Sequence, residues 1–448
     1  MKNVSQSIKT IGSMRRKSFP VDQKMNNLTK FKGLTPLAGF SYSKQLDIKQ
    51  KRTSQILETL TDKLKGMNSS VIPDERGLPC LLERIVASPV TKGYRNTDDF
   101  SIWPGLDKNP KTVGYIMGKA SNSNKIPVCL PPDDCVIVKD SHKILVSKFQ
   151  QYLRNHSPLG ICMDFSRGGN WRRFCVRSND FDELMGIAIL HPQKLSSKEL
   201  KEEQNRLKDF FIPISQDINL KSFYFQACPG VRCTNRRAPF ELLFGDEHID
   251  EVINGTKIRI TPEPFLQVNK GAAEMLYRQI IEEIEPQSDM TILDMCCGSG
   301  ILAIQLAPLV EKVIGVDSCE EAIKDAKMNA QTNNITNCNF IHGTMEDYMV
   351  KISEDLYSDD LVMVVNPGSG GLPSGVVNVI RTMSNVSKLI YVSCKPEGQA
   401  LKNFAHLCLP YRPNDDIQGD PFIPVKAIPF DLFPQTERVE LLVSFSRI

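Results

Sequence analysis

The second half of the chain alternates short apolar runs with amphipathic segments, and this alternation constrains the fold more than any other feature. From about residue 256, the runs with the composition of buried strands are TILDM, KVIGVD, LVMVVN, LIYVS, KAIPFD and VELLVSFS. Longer segments separate the first four runs, which predicts βαβ units around a parallel sheet. The last two runs follow one another too closely for a crossover helix, so they should form an antiparallel pair added to that sheet.

The first half of the chain is less regular and predicts a different kind of domain. Residues 46–67 place apolar side chains at helical spacing, and residues 196–211 have the composition of a charged helix. Short β-like runs such as CVIVKD and RRFCVRS lie between irregular stretches. We therefore expect a basic arm at 1–45, an α+β substrate domain at 46–255 and a catalytic α/β domain at 256–448.

Positive charge is concentrated at the N-terminus, although the net charge of the 448 residues is only +3. Up to residue 44, Asp22 is the single acidic residue. The basic residues of this segment are Lys2, Lys9, Arg15, Arg16, Lys17, Lys24, Lys30, Lys32 and Lys44. Interspersed with serine and threonine, they predict a mitochondrial transit peptide, and hence a mitochondrial matrix location. A basic arm that contacts RNA, or contacts nothing, is the alternative.

Composition excludes several other classes of protein. No run approaches the roughly 18 apolar residues of a membrane span, and no secretory signal pattern is visible, so we expect no membrane association. The 13 cysteines match neither a zinc-site spacing nor a disulfide framework. We expect most of them to be buried, reduced thiols, and we expect no metal and no iron–sulfur cluster.

A glycine-containing turn follows the first strand of the predicted sheet. The segment Asp294–Gly300, DMCCGSG, ends a strand and opens a helix. Gly298 and Gly300 allow the backbone to approach a ligand closely, and the helix N-terminus favours an electronegative group. Taken alone, this turn is compatible with any nucleotide-binding α/β protein, or with a turn that binds no ligand.

Two further strand ends strengthen the prediction of a nucleoside site. Asp317 ends the second strand, where a carboxylate accepts hydrogen bonds from ribose hydroxyl groups, and Asn366 ends the LVMVVN strand at the same edge. The turn lacks the G-x-G-x-x-G pattern that accommodates a pyrophosphate. S-adenosylmethionine therefore fits this pattern better than NAD does.

Two residues near the C-terminus are candidates for covalent chemistry. Cys394 follows the LIYVS strand, where a thiolate would face the edge of the sheet, and neighbouring Lys395 could lower its pKa. Glu440 opens the last strand and is a candidate base. The alternative interpretations are a buried apolar cysteine and a solvent-facing strand residue.

These segments together resemble the RNA (uracil-5-)methyltransferase family, most closely its animal mitochondrial members. The match is densest from about residue 264 to the C-terminus. Upstream it rests on fragments such as GYRN at 93–96. The matching motifs, in chain order, are Phe265–Asn269 for F-x-Q-x-N, Asp294–Gly300 for the glycine turn, Asp317 for the ribose-binding acid, Ser393–Pro396 for S-C-N-P and Asp431–Glu440 for D-M-F-P-H-T-x-x-V-E.

The resemblance implies a class I S-adenosylmethionine methyltransferase fold, Rossmann-like and doubly wound, preceded by an RNA-binding domain. It implies that Cys394 is the nucleophile and Glu440 the proton acceptor. This pair suits uracil C5, which becomes nucleophilic only after a thiolate adds to C6 and which must later lose its proton. The cofactor residues that it implies are Gln267, Asp294, Cys296, Gly298, Gly300, Asp317 and Asn366.

The expected substrate is the T-loop uridine of mitochondrial tRNA, with mitochondrial small-subunit rRNA as a further possible target. We expect no obligate protein partner. The family's D-P-P-R-x-G-L appears as Asn366–Leu372, NPGSGGL, and Lys395 and Gln435 are further departures. These changes leave open a non-catalytic RNA-binding or tRNA-folding protein. A cytosine-5 RNA methyltransferase is a weaker alternative, because that group carries P-C where this chain has Asn366–Gly368.

Overall fold

The computed structural model describes residues 30–118, 127–165, 168–348, 361–411 and 417–447. Most of the predicted basic arm, residues 1–29, lies outside the described residues.

The described end of the arm is packed against the rest of the protein. Phe31 and Leu37 are buried, and Lys30 forms a 2.6 Å ion pair with Asp134. The first helix begins at Tyr42, so the last residues assigned to the arm are helical.

The larger sheet has eight strands. In chain order they are β1 (Leu81–Leu82), β11 (Thr291–Met295), β12 (Lys312–Asp317), β13 (Cys338–His342), β14 (Leu361–Val365), β15 (Val386–Ser393), β16 (Ile423–Phe430) and β17 (Glu440–Ser446). Their spatial order is β1-β16-β17-β15-β14-β11-β12-β13. Strands β15, β14, β11, β12 and β13 are parallel, whereas β17 is antiparallel to both β15 and β16. The predicted parallel sheet with a terminal antiparallel pair is confirmed.

Helices cover both faces of this sheet. They are α1 (Tyr42–Gly66), α4 (Lys270–Ile284), α5 (Ile301–Leu306), α6 (Glu320–Thr332), α7 (Ser374–Thr382) and α8 (Leu401–Leu407). Apolar side chains of α4, α5 and α6 fill one core, and those of α1, α7 and α8 fill the other. This is the doubly wound, class I methyltransferase arrangement that the sequence predicts. Most of helix α1 and all of strand β1 lie within residues 46–255, the predicted substrate domain, but both elements pack on the larger sheet.

A second sheet of seven strands forms the α+β part of the chain. Its strands are β2 (Thr97–Trp103), β3 (Thr112–Met117), β4 (Val128–Leu130), β5 (Trp171–Ser178), β6 (Leu184–Leu190), β7 (Leu220–Ala227) and β8 (Glu241–Gly245). They lie in the order β4-β3-β2-β5-β6-β7-β8, with helices α2 (Asp140–Asn155) and α3 (Ser197–Phe211) contributing to their core. The hairpin of β9 (Ile249–Ile253) and β10 (Thr256–Ile260) leads into the catalytic domain.

Two local predictions for this half had different outcomes. RRFCVRS lies in β5, as predicted, but CVIVKD is a turn that leads into α2. Pro132 begins a short 3-10 turn just before this segment, and Cys135, Ile137 and Val138 are buried in the core as irregular backbone. Their apolar character therefore reflects burial without a strand.

The structure joins Cys228 and Cys233 in a disulfide and leaves the other eleven cysteines free. Most of the thirteen are therefore reduced thiols, as expected, and five of these are buried. None of the helices in the described ranges is long and apolar enough to span a membrane.

A buried ion pair ties α1 to the segment that precedes the last strand. Lys49 Nζ donates to Asp431 Oδ1 at 2.5 Å and to the Phe433 carbonyl oxygen at 3.0 Å, and both charged side chains are fully buried. Burial lowers the pKa of Lys49, and the charge of Asp431 opposes this shift. The pair fixes the start of the loop that ends at Glu440.

We expect Lys49→Met to lower the free energy of unfolding by about 3–5 kcal/mol, because it leaves the Asp431 carboxylate buried without its partner. Chemical denaturation of the purified variant measures this loss. The double variant Lys49→Met/Asp431→Leu should recover much of it. Equal stability of Lys49→Met and the natural protein would show that the pair has no structural role.

Candidate active site

A cavity of about 1000 Å³ opens at the carboxyl edge of the parallel strands, between the two sheets. Most of the residues predicted from the sequence line it, namely Gln267, Cys296, Gly298, Asp317, Asn366, Cys394 and Glu440. Asp294 instead lines a smaller adjoining cavity of about 70 Å³, and Gly300 lines neither. The fold therefore brings together residues that are up to 173 positions apart, from Gln267 to Glu440.

The backbone of the glycine turn is left-handed at three positions. Cys296, Gly298 and Gly300 have φ angles of 74°, 56° and 78°. A Cβ atom at Gly298 would meet open space, whereas one at Gly300 would lie 2.8 Å from the Phe340 ring. Gly298 therefore leaves room for a ligand. Gly300 instead allows α5 to pack against the sheet. It does not line the cavity, although the sequence places it among the predicted cofactor residues.

The two glycines should respond differently to the same substitution. Gly300→Ala should lower the free energy of unfolding by about 2–4 kcal/mol, from left-handed strain and overpacking against Phe340. Gly298→Ala should lower the free energy of unfolding by only about 1–2 kcal/mol, through backbone strain. It should weaken S-adenosylmethionine binding, because the alanine methyl group enters the cavity. Thermal unfolding and calorimetric titration test the two effects, and equal unfolding losses would contradict this assignment.

Acidic side chains surround the turn. Asp317 accepts hydrogen bonds from the Gly298 N–H at 2.9 Å and the Cys319 N–H at 2.8 Å, and its remaining lone pairs face the cavity edge. Asp294 is buried, and one of its carboxylate oxygens has no partner among the described residues. Burial, together with the charge of Asp317, raises the pKa of Asp294 to about 7.

The loop that carries Gln267 is held by the smaller sheet. Asn96 donates from its side chain to the Gln267 carbonyl oxygen at 2.8 Å and from its backbone to the Val268 carbonyl oxygen at 3.0 Å. Asn269 then caps α4 and donates to the Leu432 carbonyl oxygen at 3.2 Å. The backbone at Gln267 is thereby held at the cavity wall by contacts from both halves of the chain.

The antiparallel register between β15 and β17 brings Cys394 and Glu440 together. Ser393 pairs with Leu441, so the next residues along the two strands are Cys394 and Glu440. Both line the cavity. Strand pairing alone thus gives a thiol and a carboxyl group facing the same space.

Burial changes the ionisation of both groups. It raises the pKa of Glu440 to about 8, opposed by the charge of Arg438. One Glu440 oxygen has no hydrogen-bond partner among the described residues. Burial, followed by the charge of Glu440, also raises the pKa of the Cys394 thiol, and Arg438 opposes this. The expectation that Lys395 lowers the thiol pKa is therefore wrong, because Glu440 and Arg438 are the charges that act on the thiol most.

The departures at Lys395 and Gln435 do not line the cavity. Gln435 adopts a φ of 70°, and its side chain accepts from Gln45 on α1 at 2.9 Å and donates to the Thr91 carbonyl oxygen at 3.0 Å. It has a structural role at the junction of α1 and the catalytic loop. Asn366 and Ser369, by contrast, both line the cavity.

Several cavity residues were not predicted from the sequence. Tyr94 and Arg95, which lie just before β2, and Tyr115 on β3 line the cavity. Arg95 Nε donates to the buried Asp98 at 2.5 Å, and His142 contacts the same carboxylate at 2.8 Å. The GYRN fragment was the only sequence signal for this wall. Arg438 lies within the last motif but was not singled out.

The residues present fit S-adenosylmethionine. The space above Gly298 admits a ligand close to the backbone, and Asp317 keeps acceptor capacity at the cavity edge. The buried Asp294 carboxyl group has one oxygen without a partner among the described residues, and in its ionised form it would favour a cationic sulfonium group near the turn. No pyrophosphate is required to satisfy any of these groups.

Comparisons with known proteins agree with this site. Residues 286–405 match a family model described as a methyltransferase domain. The chain is 39% identical over 420 residues to the mouse tRNA (uracil-5-)-methyltransferase homolog B, covering 92% of this chain and 85% of that protein. The chain belongs to the tRNA (uracil-5-)-methyltransferase family. The mouse homolog A is 35% identical and is covered to 68% of its length.

A solved structure shows the same fold. The Pyrococcus abyssi tRNA (uracil-54, C5)-methyltransferase, determined with S-adenosyl-L-homocysteine, superposes with a TM-score of 0.63 at 22% identity, covering 91% of this chain and 84% of that one. As a family member with this domain, the chain is an S-adenosylmethionine-dependent methyltransferase, and the predicted cofactor is confirmed.

Proposed function

We propose that this enzyme methylates C5 of the T-loop uridine of tRNA through a covalent adduct, with Cys394 as nucleophile and Glu440 as base. The observation that carries the proposal is the register of β15 and β17, which places the two side chains next to each other at one cavity. The names of the relatives specify uracil C5, and the Pyrococcus enzyme acts at uridine 54.

The first step uses the thiolate of Cys394. Its sulfur adds to C6 of the uracil ring, the C5–C6 double bond opens, and the electron pair moves towards C5 and O4. C5 then uses this electron pair to take the methyl group that S-adenosylmethionine would supply, and the methyl–sulfur bond breaks with its electrons left on the neutral thioether of S-adenosylhomocysteine. The raised pKa of the Cys394 thiol means that a proton must leave it before or during this addition. The guanidinium group of Arg438, which lines the cavity, stabilises the negative charge that develops on the uracil ring.

The second step uses Glu440. Its carboxylate removes the proton from C5, the double bond re-forms, and the C6–sulfur bond breaks to release Cys394 as thiolate. The partnerless oxygen of Glu440 is free to accept this proton. A pKa of about 8 makes it a much stronger base than an exposed glutamate.

The cofactor end of the cavity lies at Gln267, Gly298, Asp317 and Asn366. When bound, S-adenosylmethionine supplies an electrophilic methyl group. We assign Asp317 to the ribose hydroxyl groups, and Gln267 and Asn366 to polar contacts of the donor or the target base. Asn366 can both donate and accept hydrogen bonds, so it can replace the family's aspartate in binding a uracil edge.

The target nucleotide must leave its stack to reach this buried pair, because Cys394 attacks a ring atom. The walls of the cavity include Tyr94, Tyr115 and Phe433, which provide aromatic surface for a displaced base. A mitochondrial matrix location, inferred from the basic N-terminal composition, is part of the proposal. Methylation of mitochondrial small-subunit rRNA stays a prediction.

The test is nucleoside analysis after incubating the purified protein with methyl-labelled S-adenosylmethionine and an unmodified mitochondrial tRNA transcript. Label should appear in 5-methyluridine, and a transcript with cytidine in place of the T-loop uridine should not be labelled. Label in 5-methylcytidine would favour the cytosine-5 alternative. Tight tRNA binding without label would favour the non-catalytic alternative. A small-subunit rRNA fragment, assayed in parallel, tests the second target.

A further inference from the structure

The loop between β7 and β8 carries exposed positive charge and is hydrogen-bonded to the segment that leads into the cavity wall. We define residues 228–238, CPGVRCTNRRA, as the arginine loop. Arg232, Arg236 and Arg237 are exposed in it, and none forms an ion pair within the described ranges of the chain. Three guanidinium groups on one short loop leave their charge available to a partner.

The backbone of the arginine loop is held rigidly. Its base is closed by the Cys228–Cys233 disulfide. Arg172 on β5 donates to the carbonyl oxygens of Gly230 at 2.5 Å and Val231 at 2.8 Å. The buried Gln226 donates to the Ala238 carbonyl oxygen at 2.8 Å. A fixed loop presents its charges without losing much conformational entropy when it binds.

Aromatic side chains lie next to the loop. Arg172 stacks over the Phe165 ring at 5.0 Å, and Phe165 contacts His191 with ring centroids 4.7 Å apart. His191 in turn donates to the Pro229 carbonyl oxygen at 3.1 Å. Phe165 is 44% exposed. Exposed aromatic and guanidinium surfaces side by side are typical of contacts with single-stranded or loop RNA.

The loop is connected to the cavity wall by short contacts. The Asn235 N–H donates to Glu263 at 2.9 Å, and Glu263 lies two residues before Phe265, which lines the cavity and is 68% exposed. Arg177 clamps the same segment through the carbonyl oxygens of Thr261 and Pro264. An RNA with one nucleotide in the cavity would therefore pass within reach of the arginine loop.

We propose that the arginine loop binds phosphates of the substrate RNA next to the flipped nucleotide, through Arg232, Arg236 and Arg237. The proposal rests on the proposed RNA methylation and adds a binding site to it. Phosphate contacts of this kind position an RNA without reading its sequence. The loop should therefore contribute to affinity for RNA and not to the chemical steps.

The test compares two variants that each lose three positive charges. One is Arg232→Ala/Arg236→Ala/Arg237→Ala. The control is Lys257→Ala/Arg278→Ala/Lys312→Ala, whose residues are exposed and lie towards the amino edge of the sheet, away from the cavity. We would measure the Kd for an unmodified tRNA transcript over a range of salt concentrations, the Kd for S-adenosylmethionine, and the single-turnover rate at saturating RNA.

The loop variant should bind tRNA about tenfold or more weakly at 0.15 M salt, with a salt-dependence slope reduced by about two to three. Its affinity for S-adenosylmethionine and its saturated rate should stay unchanged. Arg→Lys changes at the same three positions should restore most of the affinity, since they keep the charge. Equal tRNA affinity in the loop variant and the control would overturn the proposal.

The two proposals fail separately. If the natural protein makes 5-methyluridine and the loop variant binds tRNA normally, the loop assignment alone is wrong. If the natural protein makes no methylated uridine but the loop variant loses tRNA affinity, the loop assignment stands and the proposed reaction is wrong.

Discussion

Replacing Cys394 by alanine should reduce methyl transfer to tRNA by about 10⁴-fold or more, because no other group can then add to C6 and activate C5. The substitution removes a half-buried sulfur at the cavity wall, so the fold should survive it. Affinity for S-adenosylmethionine, measured by calorimetry, should stay within about twofold of the natural value. Single-turnover labelling of an unmodified tRNA transcript measures the loss of rate.

Cys162→Ala is the matched control for this variant. Cys162 is also a partly buried free thiol whose pKa is raised by burial, but it lies outside the cavity. It should keep the natural rate. If Cys394→Ala retained the rate of Cys162→Ala, the covalent mechanism would be wrong, whatever product were formed.

Glu440→Gln should block the second half of the reaction. Cys394 can still add to the ring and C5 can still receive the methyl group, but the C5 proton has no acceptor, so the adduct cannot eliminate. We expect turnover to fall by about 10³-fold while a covalent protein–RNA complex accumulates. A denaturing gel should show labelled methyl and RNA migrating together with the protein.

The matched control is Glu437→Gln, since Glu437 is exposed and lies three residues before Glu440 on the same segment. It should turn over normally and give no stable complex. Glu440→Gln that turned over as fast as Glu437→Gln would exclude Glu440 as the base. Slow turnover with no accumulated complex would instead mean that Glu440 acts in a step before methyl transfer.

The pH dependence of the natural enzyme follows from the same pair. Glu440, with a pKa raised to about 8, must be deprotonated to accept the C5 proton, and Cys394, whose thiol pKa is also raised, must lose its proton to attack. Both requirements favour higher pH, so kcat/KM should rise between pH 6 and about 8.5. A flat profile over this range would mean that neither ionisation limits the reaction.

Much of the catalytic domain could be predicted from the sequence because its strands are buried on both faces. Such strands are continuous apolar runs, and their ends place Asp294, Asp317 and Asn366 at one edge. The antiparallel end of the sheet followed from the short connection between its last two strands. The smaller sheet was harder, since its strands are short and mixed with buried irregular segments such as residues 135–138.

Two features of the site depended on long-range contacts that no local pattern indicates. Lys49 lies on the apolar side of α1, and only its pairing with Asp431, 382 residues away, explains a buried lysine there. Likewise, the raised pKa of Glu440 comes from burial between elements distant in sequence. The identity of Cys394 and Glu440 was predictable from chemistry and family motifs, but their electrostatic environment was not.

The most direct test of the central claim uses tRNA transcribed with 5-fluorouridine and incubated with S-adenosylmethionine. Fluorine at C5 cannot leave as a proton does, so the adduct formed by Cys394 should persist after methyl transfer. Mass spectrometry of the digested complex should place the modified nucleotide on the peptide that contains Cys394. A covalent complex that maps to a residue other than Cys394 would contradict the covalent mechanism. So would the absence of any complex from an enzyme that still makes 5-methyluridine in normal tRNA.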